Sequence, residues 1–140
     1  MFDTIVKAAE NFFHNQIGLP FELSDNRCEM RTIIASIDID SAADQTHRVY
    51  VACNDAMISL ITELFLGEEE SDEETQNDMA LETTNLIVGS AKVLAEELHN
   101  QPFTIQTPQF VKRDLFDLEC DVYKTVAIDG REMMIGIKEQ

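Results

Sequence analysis

The sequence predicts an α+β fold in which helices pack on an antiparallel β-sheet. Two hydrophobic patterns support this fold class: apolar residues at helical spacing in some segments, and strict alternation with β-branched residues in others. Their order is helix, two strands, two helices and then three or more strands. An Asp-Gly pair between the last two strands also predicts a hairpin. Helices and strands that occur in separate runs are typical of this class.

The first half of the chain predicts one helix and one pair of strands. In residues 2–16, phenylalanine, isoleucine, valine and alanine recur at helical spacing, and Gly18 and Pro20 end the helix. Residues 29–39 and 46–53 alternate and are rich in β-branched side chains. The short polar link DSAADQ, which joins them, predicts an antiparallel pair.

Two further helices follow, separated by an acidic segment. Residues 55–66 predict a short helix with Asn54 as its N-cap and Gly67 as its stop. The segment 67–77 carries all six of its acidic residues at 68–74 and predicts a solvated loop. A calcium site is the alternative, although the spacing does not match an EF-hand loop.

The third helix of the chain is predicted over about 75–99. The rest of the chain is predicted to form strands. Asn100 and Pro102 end the helix. Residues 103–107 predict a strand that stops at Pro108. Residues 116–128 and 131–138 alternate strongly around Asp129-Gly130, as in a hairpin. No linker or repeat divides the chain, so we expect one domain over residues 1–140.

Composition narrows the classes of function. The chain of 140 residues has a net charge of −17, from 10 Lys and Arg against 27 Asp and Glu. This charge disfavours nucleic acid and anionic membrane surfaces. The sequence has no signal-peptide pattern and no apolar run of about 20 residues. With three widely spaced cysteines (Cys28, Cys53 and Cys120), these features predict a cytoplasmic protein with reduced thiols.

The sequence lacks the common motifs of an active site that is complete by itself. His14, His47 and His99 are isolated, so we expect no structural zinc site and assign no residue as a metal ligand. No glycine-rich phosphate loop and no nucleophile motif are present. Any phosphoryl chemistry would therefore need its phosphate and its metal ion to come from elsewhere.

The most informative feature is a row of polar residues on the long predicted helix. At about 100° per residue, positions 78, 82, 85, 89, 92 and 96 fall within a stripe roughly 80° wide. The opposite side carries an apolar stripe that comprises Ala80, Ile87, Ala91, Leu94 and Leu98. Gly89, inside a helix, costs about 1 kcal/mol relative to alanine. It indicates either close approach of another chain or an exposed position under weak selection.

The spacing of Asp78, Glu82, Asn85 and Pro108 resembles the signature of the CheC/CheX/FliY chemotaxis phosphatases. Three residues separate the first pair, two the second and twenty-two the third. The resemblance is closest to single-site CheX, because the N-terminal helix around Asp3, Lys7 and Glu10 lacks a second Glu and Asn pair. One departure is Thr84, where many relatives carry a small residue.

The resemblance implies a protein of two-component signalling that dephosphorylates the phosphoaspartate of a CheY-like response regulator. Asn85 would orient the hydrolytic water, and Glu82 would contact the active-site lysine of the receiver domain. Asp78, Gly89 and Lys92 would belong to the partner-binding surface, and Pro108 would be structural. The protein would have no cofactor of its own, since the receiver would hold the Mg²⁺.

The resemblance also implies a homodimer formed through strands, for which residues 116–138 would supply an edge. Two alternatives stay open from the sequence. One is a non-catalytic module that binds a response regulator or sits in a flagellar switch. The other is a structural or oligomerisation domain, in which the polar stripe is merely solvent-facing.

Overall fold

In the computed structural model, which describes residues 1–41, 45–67 and 70–140, helices cover one face of a seven-stranded sheet. The helices are α1 (Phe2–Phe12), α2 (Asp55–Leu66) and α3 (Glu73–His99), and a π-helical turn, Phe13–Ile17, continues α1. The strands are β1 (Glu22–Ser24), β2 (Thr32–Ser41), β3 (Thr46–Asn54), β4 (Phe103–Ile105), β5 (Gln109–Asp114), β6 (Val122–Ile128) and β7 (Arg131–Glu139). Every pairing is antiparallel, so the predicted α+β class is confirmed.

The sheet order is β1-β6-β7-β3-β2-β4, and β5 also pairs with β2. Side chains alternate between the two faces of the sheet. Ile33, Ile37 and Ile39 of β2 are fully buried in the main core, between the sheet and the helices. Ile34 faces the other way, into a smaller cluster with Tyr50 and Met134.

An irregular segment covers the smaller cluster. We expected a strand over 116–128, but β6 begins only at Val122. Residues 115–121 instead cross one face of the sheet. Arg27 holds this segment by donating hydrogen bonds to the carbonyl oxygens of Phe116 and Leu118, both at 3.1 Å. Gly136 permits this path, since a Cβ there would clash with Cys120. The alternation in 116–121 thus reflects packing on the sheet rather than pairing within it.

The predicted second helix and hairpin are confirmed. The Asn54 side chain accepts a hydrogen bond from the Met57 amide at 2.9 Å, and Gly67 adopts the left-handed conformation that ends α2. Asp129 and Gly130 both have positive φ, at 45° and 82°. This is the backbone that a two-residue hairpin requires.

The acidic segment is shorter than expected. We predicted a loop over 67–77, but α3 begins at Glu73, so residues 73–77 are helical. Asp72 explains the early start, because its carboxylate caps the helix by accepting from the Thr75 amide at 2.8 Å. Glu73 and Glu74 then lie where the helix dipole favours negative charge. Glu68, Glu69 and residues 42–44 of the polar link lie outside the described residues.

Part of the predicted dimer edge over 116–138 is covered within the sheet, and the homodimer itself stays a prediction. β7 lies between β6 and β3, and β1 covers residues 125–127 of β6. The opposite border of the sheet is formed by β4 and β5, which pair in succession with β2 on either side of Pro108. A proline fits an edge position because it has no amide hydrogen to donate. None of the helices in the described part of the chain combines the length and apolarity needed to span a membrane.

Candidate functional site

Helix α3 has a packed side and an exposed side. Ala80, Ile87 and Ala91 of the predicted apolar stripe are buried against the sheet and α1. Leu98, which we also expected in the core, is 67% exposed. Residues 96–99 are exposed all round the helix, so the last turn of α3 makes no contact with the core.

Asp78, Glu82 and Asn85 lie together on the exposed side of α3. Their side chains form no hydrogen bond or ion pair with any other described residue. Glu82 and Asn85 are separated by about 4.5 Å along the helix axis. Asp78 and Glu82 are like charges at the i and i+4 positions, an arrangement that weakly destabilises a helix. These three residues, called the ridge below, therefore contribute nothing visible to the packing of the chain.

Gly89 continues the line of the ridge toward Lys92. A Cβ at position 89 would have no atom within 4 Å, so the chain itself has room for a larger residue there. Gly89 is therefore explained either by close approach of another chain or by weak selection at an exposed position, and both explanations stay open. Lys92 is partly buried at the side of the same stripe.

Thr84 does not intrude on the ridge. Its side chain is fully buried, and its hydroxyl donates to the carbonyl oxygen of Ala80 at 2.8 Å. The threonine thus points into the protein, whereas the Asn85 amide, about 100° further round the helix, is exposed. The departure from the usual small residue is accommodated by the core and leaves the exposed surface unchanged.

Arg113 of β5 positions the start of α3, a role that the sequence reasoning missed. Its side chain is only 11% exposed and lies 3.6 Å from the carboxylate of Asp55. It also donates to the side-chain oxygens of Gln76 at 3.2 Å and Asn77 at 3.0 Å. These bonds join the sheet edge to the turn that precedes Asp78. No local signal pointed to this role, because we predicted no strand over residues 109–114 and the partners of Arg113 lie more than 30 residues away in sequence.

Two of the cysteines are buried, unreactive thiols, and the acidic side chains of the described residues form no metal-binding group. Burial raises the pKa of Cys28 to about 11 and that of Cys53 to about 12, so both remain protonated thiols. Across residues 1–41, 45–67 and 70–140, no three His, Cys, Asp or Glu side chains group as metal ligands.

Residues 33–129 match the family described as chemotaxis phosphatase CheX. This match covers well over half of the chain. The chain belongs to the CheX family. No curated protein sequence matches it at a significant level.

Solved structures share the fold over nearly the whole chain. The chemotaxis protein CheX from Vibrio vulnificus is 19% identical, with a TM-score of 0.82 over 99% of this chain and 95% of its own. CheX from Borrelia burgdorferi, solved as a complex with CheY, BeF₃ and Mg²⁺, is 14% identical, with a TM-score of 0.71 over 99% and 97%. FliY from Thermotoga maritima is more distant, with 14% identity and a TM-score of 0.59 over 94% and 82%.

Proposed function

We propose that this protein is a phosphatase that hydrolyses the phosphoaspartate of a CheY-like response regulator and so terminates a chemotaxis signal. The observation that carries the proposal is the ridge, where Glu82 and Asn85 are exposed, adjacent and unpaired among the described residues. Membership of the CheX family and the CheY complex of the Borrelia relative support the choice of substrate.

Asn85 supplies the catalytic group in this proposal. Phosphoryl transfer depends mainly on positioning and on charge stabilisation, and hydrolysis needs a water aligned with the scissile bond. A carboxamide has a donor and an acceptor and carries no charge at any working pH, so it holds such a water in one orientation. A hundredfold acceleration corresponds to about 2.7 kcal/mol of barrier, a modest contribution for one oriented water.

Glu82 supplies the docking contact. One turn before Asn85, its carboxylate is placed to pair with the active-site lysine of the receiver. Asp78, another turn back, extends the same docking surface in one direction, while Gly89 and Lys92 extend it in the other. The Mg²⁺ belongs to the receiver, which already performs the reaction slowly without help.

The test is the decay of a phosphorylated CheY-like receiver from the source organism, with and without the protein. Wild type should shorten the phosphate lifetime, and Asn85→Ala should bind the receiver but leave the lifetime nearly unchanged. Binding by wild type with no change in lifetime would replace the phosphatase with a scaffold that recognises the phosphorylated receiver. Wild type that neither binds the receiver nor shortens the phosphate lifetime would leave only a structural or oligomerisation role.

A further inference from the structure

A groove beside the ridge has no role in the proposed chemistry. It lies between α1, the end of α2 and α3, and has a volume of about 270 Å³. Its lining residues are Ala8, Asn11, Phe12, Asn15, Gln16, Phe65, Leu86 and Ser90. The rings of Phe12 and Phe65 stack at 6.0 Å on one side. On the other side, Leu86 is 40% exposed and directly follows Asn85.

The polar side chains of the groove are available to a partner. The amides of Asn11, Asn15 and Gln16 form no hydrogen bond with the other described residues. Asn15 and Gln16 lie on the π-helical turn that ends α1, a local distortion found frequently at functional sites. The groove thus combines an apolar floor with free amide groups, the usual composition of a recognition pocket.

The groove is also an uncharged patch on a molecule of strongly negative net charge. None of the side chains that line it is charged, although the chain carries 27 acidic residues. Of the segments that carry the lining residues, 65–66 and 86–90 contain no Asp or Glu, and 8–16 contains one acid, Glu10. The acid next to Asn11 in sequence, Glu10, lines a different depression with His14 and Gly18.

We propose that this groove is the docking pocket for the phosphorylated receiver, taking up an apolar side chain that lies beside its phosphorylation site. The inference rests on the proposed function and names how the substrate is held. A receiver active site is acidic, so a protein of charge −17 repels it over most of its surface. The pocket has no charged lining residue and includes Leu86, the neighbour of Asn85 in sequence. The receiver can bind at this pocket without that repulsion. Buried apolar anchors in such pockets supply most of the affinity of an interface.

The experiment measures binding without turnover, by calorimetry with a receiver trapped by beryllofluoride and Mg²⁺. The groove variant is Asn15→Asp with Gln16→Glu, which adds two charges at nearly constant shape. The control is Thr107→Glu with Gln109→Glu, which adds two charges in a depression beside Asp38 and Arg48 on the far face of the sheet. All four positions are exposed, so both variants should fold.

We expect the groove variant to bind the receiver at least tenfold more weakly, the control to bind like wild type, and added salt to restore part of the loss. Equal affinities of the groove variant and wild type would overturn the inference. If the groove variant fails to fold, Ser90→Glu places the charge on α3 instead. If the three proteins show this pattern of binding but wild type leaves the phosphate lifetime unchanged, the proposed phosphatase activity is refuted and the docking pocket stands. Wild type that binds no receiver would refute both.

Discussion

The buried and exposed sides of α3 differ in how far the packing of the chain explains their residues. On the buried side, Ile87 and Val88 are fully enclosed and Thr84 satisfies its own hydroxyl within the helix. On the exposed side, Glu82 repels Asp78, asparagine is a mediocre helix former, and Gly89 weakens the helix with no steric need. Stability accounts for the residues of the first side, whereas for the second side the proposed explanation is contact with another molecule.

The largest effect should come from the buried side. Ile87→Ala deletes atoms from a fully buried site and should lower the free energy of unfolding by about 3 kcal/mol. Leu86→Ala, one residue earlier but 40% exposed, is the matched control and should lower it by less than about 1 kcal/mol. Urea unfolding followed by circular dichroism compares the two. Equal losses would mean that the two sides of α3 are not distinct.

A smaller effect, on binding rather than stability, is expected from Glu82→Gln. The change removes a charge that no described residue pairs with, so the free energy of unfolding should not fall. The receiver concentration for half-maximal dephosphorylation should rise about tenfold, as for the loss of a charge-assisted hydrogen bond. Glu96→Gln, on the same stripe about 21 Å further along the helix, is the control. An unchanged half-saturation in Glu82→Gln would remove Glu82 from the docking surface.

The smallest effect is expected from Gly89→Ala. Since the added methyl meets no atom within 4 Å, the variant should be more stable than wild type by about 1 kcal/mol. If another chain approaches this position closely, the same variant should bind the trapped receiver more weakly. Higher stability with unchanged binding would decide for the other explanation, an exposed position under weak selection.

The parts of the fold that could be predicted are those whose signals are local. Asn54, Gly67 and the Asp129-Gly130 turn act within a few residues, so the bounds of α2 and the position of the hairpin turn were predicted correctly. The start of β6, which no local signal marks, was predicted six residues too early. The exposed face of α3 was predicted in the same way, from the helical spacing of its polar and apolar residues. Leu98 shows the limit, because periodicity indicates a side of the helix but not where the core ends.

The parts that could not be predicted depend on distant partners. β1 and β5 are edge strands whose pairing is decided by β6 and β2, far away in sequence. Arg113 acquires its role only when β5 is placed beside the start of α3. The groove next to the ridge likewise forms from Phe12, Phe65 and Leu86, which belong to three separate helices.

The most direct test of the account compares Asn85→Ala with Ile87→Val in one assay of receiver phosphate lifetime, with the free energy of unfolding measured on the same preparations. Asn85→Ala should lose most of the acceleration without loss of stability. Ile87→Val should keep the acceleration while losing about 1 kcal/mol of stability. An Asn85→Ala protein that shortens the phosphate lifetime as well as wild type would contradict the central claim, that the exposed side of α3 carries the catalytic group.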